Sequence, residues 1–275
     1  MDFSCEVNNT MEEPIKIESW EKFEEELVRI NKRTKVLKQE RKLDSPDYPL
    51  YRGISDSRHH LESTLDRIRK GMYLSEYREI IKSVYKHVAT CTGGKWNLET
   101  EEPKVFAGRI FDLPIPTYEF MAYLRHNEFP SPLIDWTKSP YIAAYFAFRK
   151  IRPETEYVSI FVHMGKYFCG QQLCIGLMGP TIATDRKHYL QRSEYSICFN
   201  HQGKEICFAN HEDVVKDGEG KDILIKYKIP VSERQKFLGK LDSMNITAYS
   251  LFGSEPSLME TLALREIILE QKNVF

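Results

Sequence analysis

The first segment that could carry chemistry is Tyr51-Arg52-Gly53, which follows Pro49 and Leu50. An arginine near the end of a strand can grip a pyrophosphate with two parallel hydrogen bonds, because its guanidinium is a planar fork of donors. The glycine beside it would let a ligand approach the backbone. An arginine paired with a nearby carboxylate explains the same residues without a ligand. The tripeptide alone therefore leaves an anion site and an ion pair open.

The second candidate segment runs from Asp135 to Pro140, where a short apolar strand is expected to pass into a helix. Thr137 and Ser139 place two hydroxyls at that junction, and hydroxyls beside free helix NH groups can orient a polar ligand such as a ribose. Two local explanations compete with this one. Ser139 before Pro140 is fully explained as a helix cap, and Asp135 could hold the loop of Trp136 through local hydrogen bonds.

Two further residues could do acid–base or electrostatic work. Glu194 begins an alternating strand, a position from which a carboxylate can point into a cleft, although an edge glutamate is usually just solvated. His126 stands at the end of a helix, where it could be a base or a ligand. Helix-end histidines are more often partners of the helix dipole, so this role stays open.

Composition and motifs narrow the class of protein. The chain has 275 residues, 41% hydrophobic and 29% charged, and its formal net charge is -1, so no global attraction to nucleic acid or anionic membrane is expected. The six cysteines lack the spacing of a zinc site and are expected to be reduced. The sequence contains no P-loop, no GxGxxG after a strand, no HExxH, no GxSxG and no kinase motifs. Without a signal peptide or an apolar run of about eighteen residues, a cytoplasmic location and no membrane partner are expected.

The elements that must position these residues follow from periodicity, which predicts an α+β fold with N-terminal helices followed by a mostly antiparallel sheet. Residues 1–16 are expected to be a flexible lead-in, and residues 17–275 one domain. Ser19 is expected to cap the first helix and Thr117 a later one. The other predicted helices span residues 77–88, 141–150, 232–241 and 256–271. The predicted strands are residues 49–54, 133–137, 157–163, 195–199, 205–208, 223–229 and 246–251. Residues 93–114 are predicted to form a long connection.

The two candidate segments together resemble the FRG domain family, named after a Phe/Tyr-Arg-Gly tripeptide that is Tyr51-Arg52-Gly53 here. Residues 124–147 read LRHNEFPSPLIDWTKSPYIAAYFA. They are similar to the family's pattern of a His, a Pro turn, Leu-Leu-Asp-Trp-Thr, one variable residue, Ser-Pro and an Ala-Tyr-Phe-Ala helix. Leu251-Phe252-Gly253 and the closing helix also resemble the family's ending, so the resemblance covers residues 18–271.

A more distant resemblance is to the Arg-Ser-Glu type ADP-ribosyltransferases. It implies a split sheet like theirs, NAD as the substrate and no metal. It also implies that Tyr51-Arg52-Gly53 binds NAD, and that Thr137 and Ser139 position the nicotinamide ribose. Glu194 would stabilise the positive charge that builds on the ribose as nicotinamide leaves. The resemblance thus predicts a mono-ADP-ribosyltransferase that acts as a toxin or antiviral defence effector. Its expected partner is an antitoxin or immunity protein.

The sequence departs from the transferase pattern at two positions. Lys138 stands between the two hydroxyl residues, and Arg192 replaces the acidic or amide residue that helps to choose the acceptor. Both departures argue against modification of arginine. A nucleic-acid base or another protein side chain is at least as plausible an acceptor, with Arg192, Lys138 and Lys187 available to meet phosphate. The candidate substrate-binding residues are Arg192, Lys138, His126 and Asp135.

Two other functions stay open. One is a non-catalytic module that binds a nucleotide or a polyanion through the same Arg52 cleft. The other is a nuclease that uses Asp135 and His126 with a divalent ion. The transferase hypothesis differs from both in its geometric requirement, because it needs Arg52, Ser139 and Glu194 to meet in one cleft.

Overall fold

Helices pack against a mostly antiparallel sheet, which confirms the predicted α+β class. The computed structural model describes residues 13–41, 48–98, 105–106, 109–110, 117–164, 167–169, 173–178, 186–202, 205–213 and 223–269. The described helices are α1 Trp20–Arg41, α2 Leu74–Thr92, α3 Tyr118–His126, α4 Pro140–Arg149, α5 Lys187–Leu190, α6 Arg234–Ser243, α7 Ala248–Phe252 and α8 Glu255–Ala263. A 3₁₀ turn at Val231–Glu233 precedes α6, and a π-helical segment at Leu264–Leu269 follows α8.

Local capping chemistry fixes several helix ends. The Ser139 hydroxyl accepts the backbone NH of Ile142 at 3.3 Å, and Pro140 occupies the first turn of α4. Gly93 ends α2 in the left-handed conformation with φ of 69°. Both ends agree with the sequence prediction. The side chain of Thr117 precedes α3 but makes no capping hydrogen bond, because its hydroxyl faces the sulfur of Met121 instead.

The strands form one large sheet and one short hairpin. They are β1 Ile15–Lys16, β2 Leu50–Ile54, β3 Val105–Phe106, β4 Arg109–Ile110, β5 Ile134–Thr137, β6 Tyr157–Met164, β7 Tyr167–Cys169, β8 Leu173–Met178, β9 Ser193–Gln202, β10 Glu205–Phe208 and β11 Ile223–Pro230. The large sheet has the order β1-β11-β6-β2-β5-β9-β8-β7, with β10 added to β9, and β3 pairs with β4. Only the β1–β11 pair is parallel among the described strands.

The middle of the sheet is the junction between β2 and β5. These two strands pair at a single position, Tyr51 with Thr137. In contrast, β2 pairs with β6 over five positions and β5 pairs with β9 over four. The ladder is therefore interrupted next to Arg52, and the sheet opens between the two segments that the sequence singles out.

Helix α4 covers this junction, and Gly53 allows its close approach. A side-chain carbon at Gly53 would overlap the carbonyl oxygen of Ala143 and lie 2.6 Å from the backbone nitrogen of Ala147. Both alanines are fully buried. The glycine of the tripeptide is thus explained by helix-on-strand packing, a cause that the sequence analysis does not include.

Three sequence predictions need correction or revision. The predicted strand at 246–251 is wrong, because Thr247 and Ser250 form a capping box that starts α7. The predicted connection at 93–114 contains the β3–β4 hairpin, and most of its remaining residues lie outside the described part. Ile15 and Lys16, the last residues of the predicted lead-in, form a strand that pairs with β11, while residues 1–12 are outside the described part.

Candidate functional site

A cleft of about 560 Å³ opens at the β2–β5 junction. Residues of β2, β5, the loop after β2, α3 and α4 line it. Its wall is rich in charge: the basic residues are Arg52, Arg67, Arg125, Arg152, His59 and His126, and the acidic residues are Asp56, Glu128 and Asp135. With four arginines against three carboxylates, the cleft carries more positive than negative fixed charge, which favours an anionic ligand.

Two arginines meet on Asp135 at the centre of this wall. The Nη1 of Arg52 donates to the main-chain carbonyl of Asp135 at 2.6 Å and lies 3.4 Å from its Oδ2. The Nη2 of Arg125 donates to the same Oδ2 at 2.5 Å. Burial raises the pKa of Asp135, but the charges of Arg125 and Arg52 outweigh it, so the pKa is lowered overall. The carboxylate therefore stays ionised between two cations, and the cluster carries net positive charge.

The two arginines are only partly satisfied by their protein contacts. Their side chains are 15% and 17% exposed, and the Nε atoms of both Arg52 and Arg125 are buried without a hydrogen-bond partner among the described residues. Burial lowers the pKa of Arg52 to about 10. The charge of Asp135 opposes this shift, and repulsion from Arg125 and Arg67 adds to it. A bound anion would offset both the unsatisfied donors and the repulsion.

The hydroxyls of the second segment serve local structure. Thr137 Oγ1 donates to the carbonyl of Gln191 at 2.7 Å and accepts the backbone NH of Ser139 at 3.1 Å. Thr137 lines the cleft together with Tyr51. Ser139, whose hydroxyl caps α4, is not among the described residues that line it.

Glu194 occupies a neighbouring buried site rather than the cleft. Only 4% of the residue is exposed, and its Oε1 accepts the Tyr48 hydroxyl at 2.9 Å. The ammonium of Lys138 lies 2.5 Å from the same oxygen and 4.3 Å from the centre of the Tyr48 ring. Burial lowers the pKa of Lys138, but the hydrogen bonds and charge interactions with Glu194 and Tyr48 together raise it by more than burial lowers it. The pKa of Lys138 is therefore raised overall. Ser193, the preceding residue, lines the cleft, because successive strand residues point to opposite faces.

Arg192 lies in the turn before β9 and has a positive φ of 50°. Its carbonyl accepts the backbone NH of Lys138 at 3.2 Å, which ties the turn to the start of α4. Neither residue is among the described residues that line the cleft. Of the residues predicted from the sequence, the structure thus gathers Tyr51, Arg52, Gly53, His126, Asp135 and Thr137 around the cleft, and it places Lys138, Ser139, Arg192 and Glu194 beside it.

His126 belongs to a hydrogen-bonded group that the sequence analysis misses. Its Nε2 is 2.7 Å from the hydroxyl of Tyr195, and that hydroxyl is 2.9 Å from the Nε2 of His188. The two imidazole rings are 4.3 Å apart. Tyr195 is the direct strand partner of Asp135, which links the group to the cleft. The group joins the end of α3 to α5 and β9, which are distant from α3 in sequence, so no local motif signals it.

Comparison with known families identifies the segment that carries most of the cleft. Residues 48–156 match the model of the FRG domain. Over these residues the chain is similar to the FRG domain. The matched range includes the cleft residues Arg52, Arg125 and Asp135, whereas Arg192 and Glu194 lie beyond its end. Searches of the curated proteins and of the solved structures return no match.

Two broader properties of the described residues complete this picture. None of the helices in the described residues has the length and apolar character that a membrane span needs. The same residues contain no group of three or more His, Cys, Asp or Glu side chains arranged to hold a metal ion.

Proposed function

We propose that the FRG domain binds a phosphate-bearing nucleotide in the arginine-lined cleft. The observation that carries this proposal is the convergence of Arg52 and Arg125 on Asp135, with a buried, unpartnered Nε on each arginine among the described residues. Arginine is the side chain best suited to phosphate, because its donors match two oxygens at once. One carboxylate cannot neutralise both guanidinium groups, so the cluster retains a charge for a ligand.

The other walls of the cleft suit the sugar and base of such a ligand. The volume of about 560 Å³ is in the range of small-molecule sites. Phe146 and Tyr51 line it and offer aromatic surface, while Ser193 adds a hydroxyl. A bare phosphate would leave this surface unused. These features therefore support a nucleotide, and a dinucleotide such as NAD falls in the same class.

A second candidate is NAD-dependent mono-ADP-ribosyl transfer to a nucleic acid or protein. The observation that favours it is strand order: Arg52, Thr137 and Glu194 lie on the neighbouring strands β2, β5 and β9. The convergence that the sequence hypothesis requires is not met, because Ser139 and Glu194 are not among the described residues that line the cleft with Arg52. In this reaction the bond from ribose to nicotinamide breaks, its electron pair leaves with nicotinamide, and the acceptor atom bonds to the ribose carbon. Glu194 would have to exchange Lys138 for a ribose hydroxyl to stabilise the transition state.

Calorimetry tests the nucleotide proposal with ADP-ribose, NAD and pyrophosphate as the probes. We expect wild-type protein to bind ADP-ribose, and Arg52→Met to weaken that binding by at least about tenfold, because one charge-assisted contact is worth about 1.5–3 kcal/mol. Arg265→Met is the matched control, because Arg265 pairs with Asp242 and does not line the cleft. Equal affinity in the wild type and Arg52→Met, or no binding at all, would contradict the proposal.

Incubation with labelled NAD and a cell extract tests the transfer reaction. Transfer predicts labelled macromolecule and released nicotinamide, both lost in Glu194→Gln. ADP-ribose binding without nicotinamide release would instead assign a non-catalytic nucleotide-binding module. Cleavage of RNA or DNA that requires Asp135 and His126 would assign the nuclease function.

A further inference from the structure

The hydroxyl of Tyr195 joins His126, which lines the cleft, to His188, which is only 7% exposed. Burial is the largest cause of a raised pKa at Tyr195, so this phenol keeps its proton at neutral pH. A neutral hydroxyl has a single proton to donate. When it donates to the Nε2 of one histidine, it must accept from the Nε2 of the other.

Because the two histidines share one hydroxyl proton, their tautomers are coupled. If Tyr195 donates to His188, then His188 is protonated at Nδ1 and His126 at Nε2. His126 then has an unprotonated Nδ1, the form that can take a proton. If Tyr195 donates to His126 instead, both assignments reverse. A change at His188 is thus transmitted to the ring that lines the cleft.

The charged groups around His126 come from several elements. Asp135 of β5 interacts electrostatically with the histidine, an interaction that lowers the pKa of that carboxyl less than Arg125 and Arg52 do. Arg125 precedes His126 on α3, and Glu128 follows and also lines the cleft. The Nε2 of His126 is hydrogen-bonded to the buried hydroxyl of Tyr195, while the neighbouring wall of the cleft carries the positive charge of Arg125. This arrangement suits a group that exchanges a proton with an anionic ligand.

We propose that His126 is the acid–base group of the cleft and that Tyr195 and His188 are the positioning residues that set its tautomer. The inference rests on the proposed nucleotide site and, for its chemistry, on ADP-ribosyl transfer, the second candidate function. In ADP-ribosyl transfer, the acceptor atom bonds to the ribose carbon, the electron pair of the broken bond leaves with nicotinamide, and the acceptor's proton passes to Nδ1 of His126. Tyr195 and His188 hold Nε2 protonated during this step.

Nitrogen NMR of protein with ¹⁵N-labelled histidine tests the tautomer assignment directly. We expect the wild type to show His126 protonated at Nε2 and His188 protonated at Nδ1 near neutral pH. Tyr195→Phe removes only the shared hydroxyl and should shift the nitrogen signals of both rings. Tyr77→Phe is the matched control, because it removes a phenol hydroxyl that donates to the main-chain carbonyl of Pro130. Unchanged His126 signals in Tyr195→Phe would overturn the positioning role.

Nicotinamide release, followed against pH, tests the acid–base role. Tyr195→Phe and His188→Gln should lower the turnover rate about tenfold or more and move its pH profile, since a positioned acid or base contributes about 10²–10⁴ in rate. The affinity for ADP-ribose should change less than twofold, because neither residue lines the cleft. A pH profile identical to that of the wild type, or wild-type binding without turnover, would overturn the acid–base role. Failure of the wild type to bind ADP-ribose would refute the nucleotide site itself, and the NMR result would still decide the positioning.

Discussion

Lys138 and Glu194 form an ion pair in which Nζ and Oε1 are 2.5 Å apart, next to the cleft and not in it. The side chains are 26% and 6% exposed, so water screens the pair poorly. The carboxylate that the transferase resemblance assigns to catalysis is therefore already bound to a lysine. That lysine is the same residue by which the sequence departs from the transferase pattern, which gives the departure a physical consequence.

This pairing predicts a non-additive effect on stability. Lys138→Met should lower the free energy of unfolding by about 1–3 kcal/mol, because it leaves the buried Glu194 carboxylate without its cation. Adding Glu194→Gln should recover part of that loss, since the neutral amide can still accept the Tyr48 hydroxyl. Urea denaturation of both single variants and the double variant measures the coupling. Additive losses would show that the ion pair contributes no coupling energy.

Gly53 gives a second prediction about stability. Gly53→Ala should destabilise the fold by about 1–3 kcal/mol, because the new methyl group overlaps the backbone of α4 at Ala143 and Ala147. Gly239→Ala in α6 is the control, because its new carbon meets only a side-chain atom of Leu269 at 3.7 Å. That control should be neutral or stabilising by up to about 1 kcal/mol, since alanine favours a helix. Equal unfolding midpoints for the two variants would refute the packing explanation.

Much of the fold is predictable because its boundaries are set by local chemistry. Ser139 with Pro140 starts α4, and Gly93 ends α2, as the sequence indicates. The strand predicted at 246–251 is wrong, and local capping chemistry is again the reason. An apolar run of that length fits a strand or a helix, and the capping box of Thr247 and Ser250 decides for the helix.

The candidate site is only partly predictable, because strand pairing decides which side chains meet. Arg52 and Asp135 can be selected from local sequence, and they do meet. Arg67 and Tyr195 carry no local signal, and they reach the site through tertiary packing. The face on which Glu194 lies depends on register, since a shift of one residue would exchange it with Ser193. Register is set by contacts between distant strands.

Asp135 provides a prediction about ligand affinity. Asp135→Asn removes the negative charge that Arg52 and Arg125 share, so the affinity for pyrophosphate should rise about three- to tenfold at low salt. The gain should shrink as salt screens the charges. Asp242→Asn is the control, because Asp242 pairs with Arg265 and does not line the cleft. Calorimetry at two salt concentrations checks both statements, and an unchanged or weaker affinity at low salt would contradict the electrostatic account.

A buried polar chain behind the cleft predicts how stability depends on pH. Trp136 Nε1 donates to Ser196 Oγ at 2.6 Å, and Ser196 Oγ lies 2.6 Å from the Nε2 of His211. The indole is a donor only, so the proton of the serine hydroxyl is available for an unprotonated Nε2 of His211. Burial, with repulsion from His163 and Arg52, lowers the pKa of His211 to about 3. The imidazole is therefore neutral in the folded protein.

The sign of the pH dependence follows from the two states of His211. In the unfolded chain its pKa is about 6.5, so between about pH 6.5 and 3 the unfolded state binds a proton that the folded state excludes. This group makes the free energy of unfolding fall as the pH drops through that window, by at most about 1.4 kcal/mol per pH unit. His211→Gln keeps a hydrogen-bond acceptor but cannot titrate, so its stability should fall less steeply with pH than that of the wild type. His87→Gln is the control, because His87 is exposed, and it should keep the wild-type dependence of the free energy of unfolding on pH. Urea denaturation across this pH range measures all three proteins. Equal slopes in the three would refute the assignment.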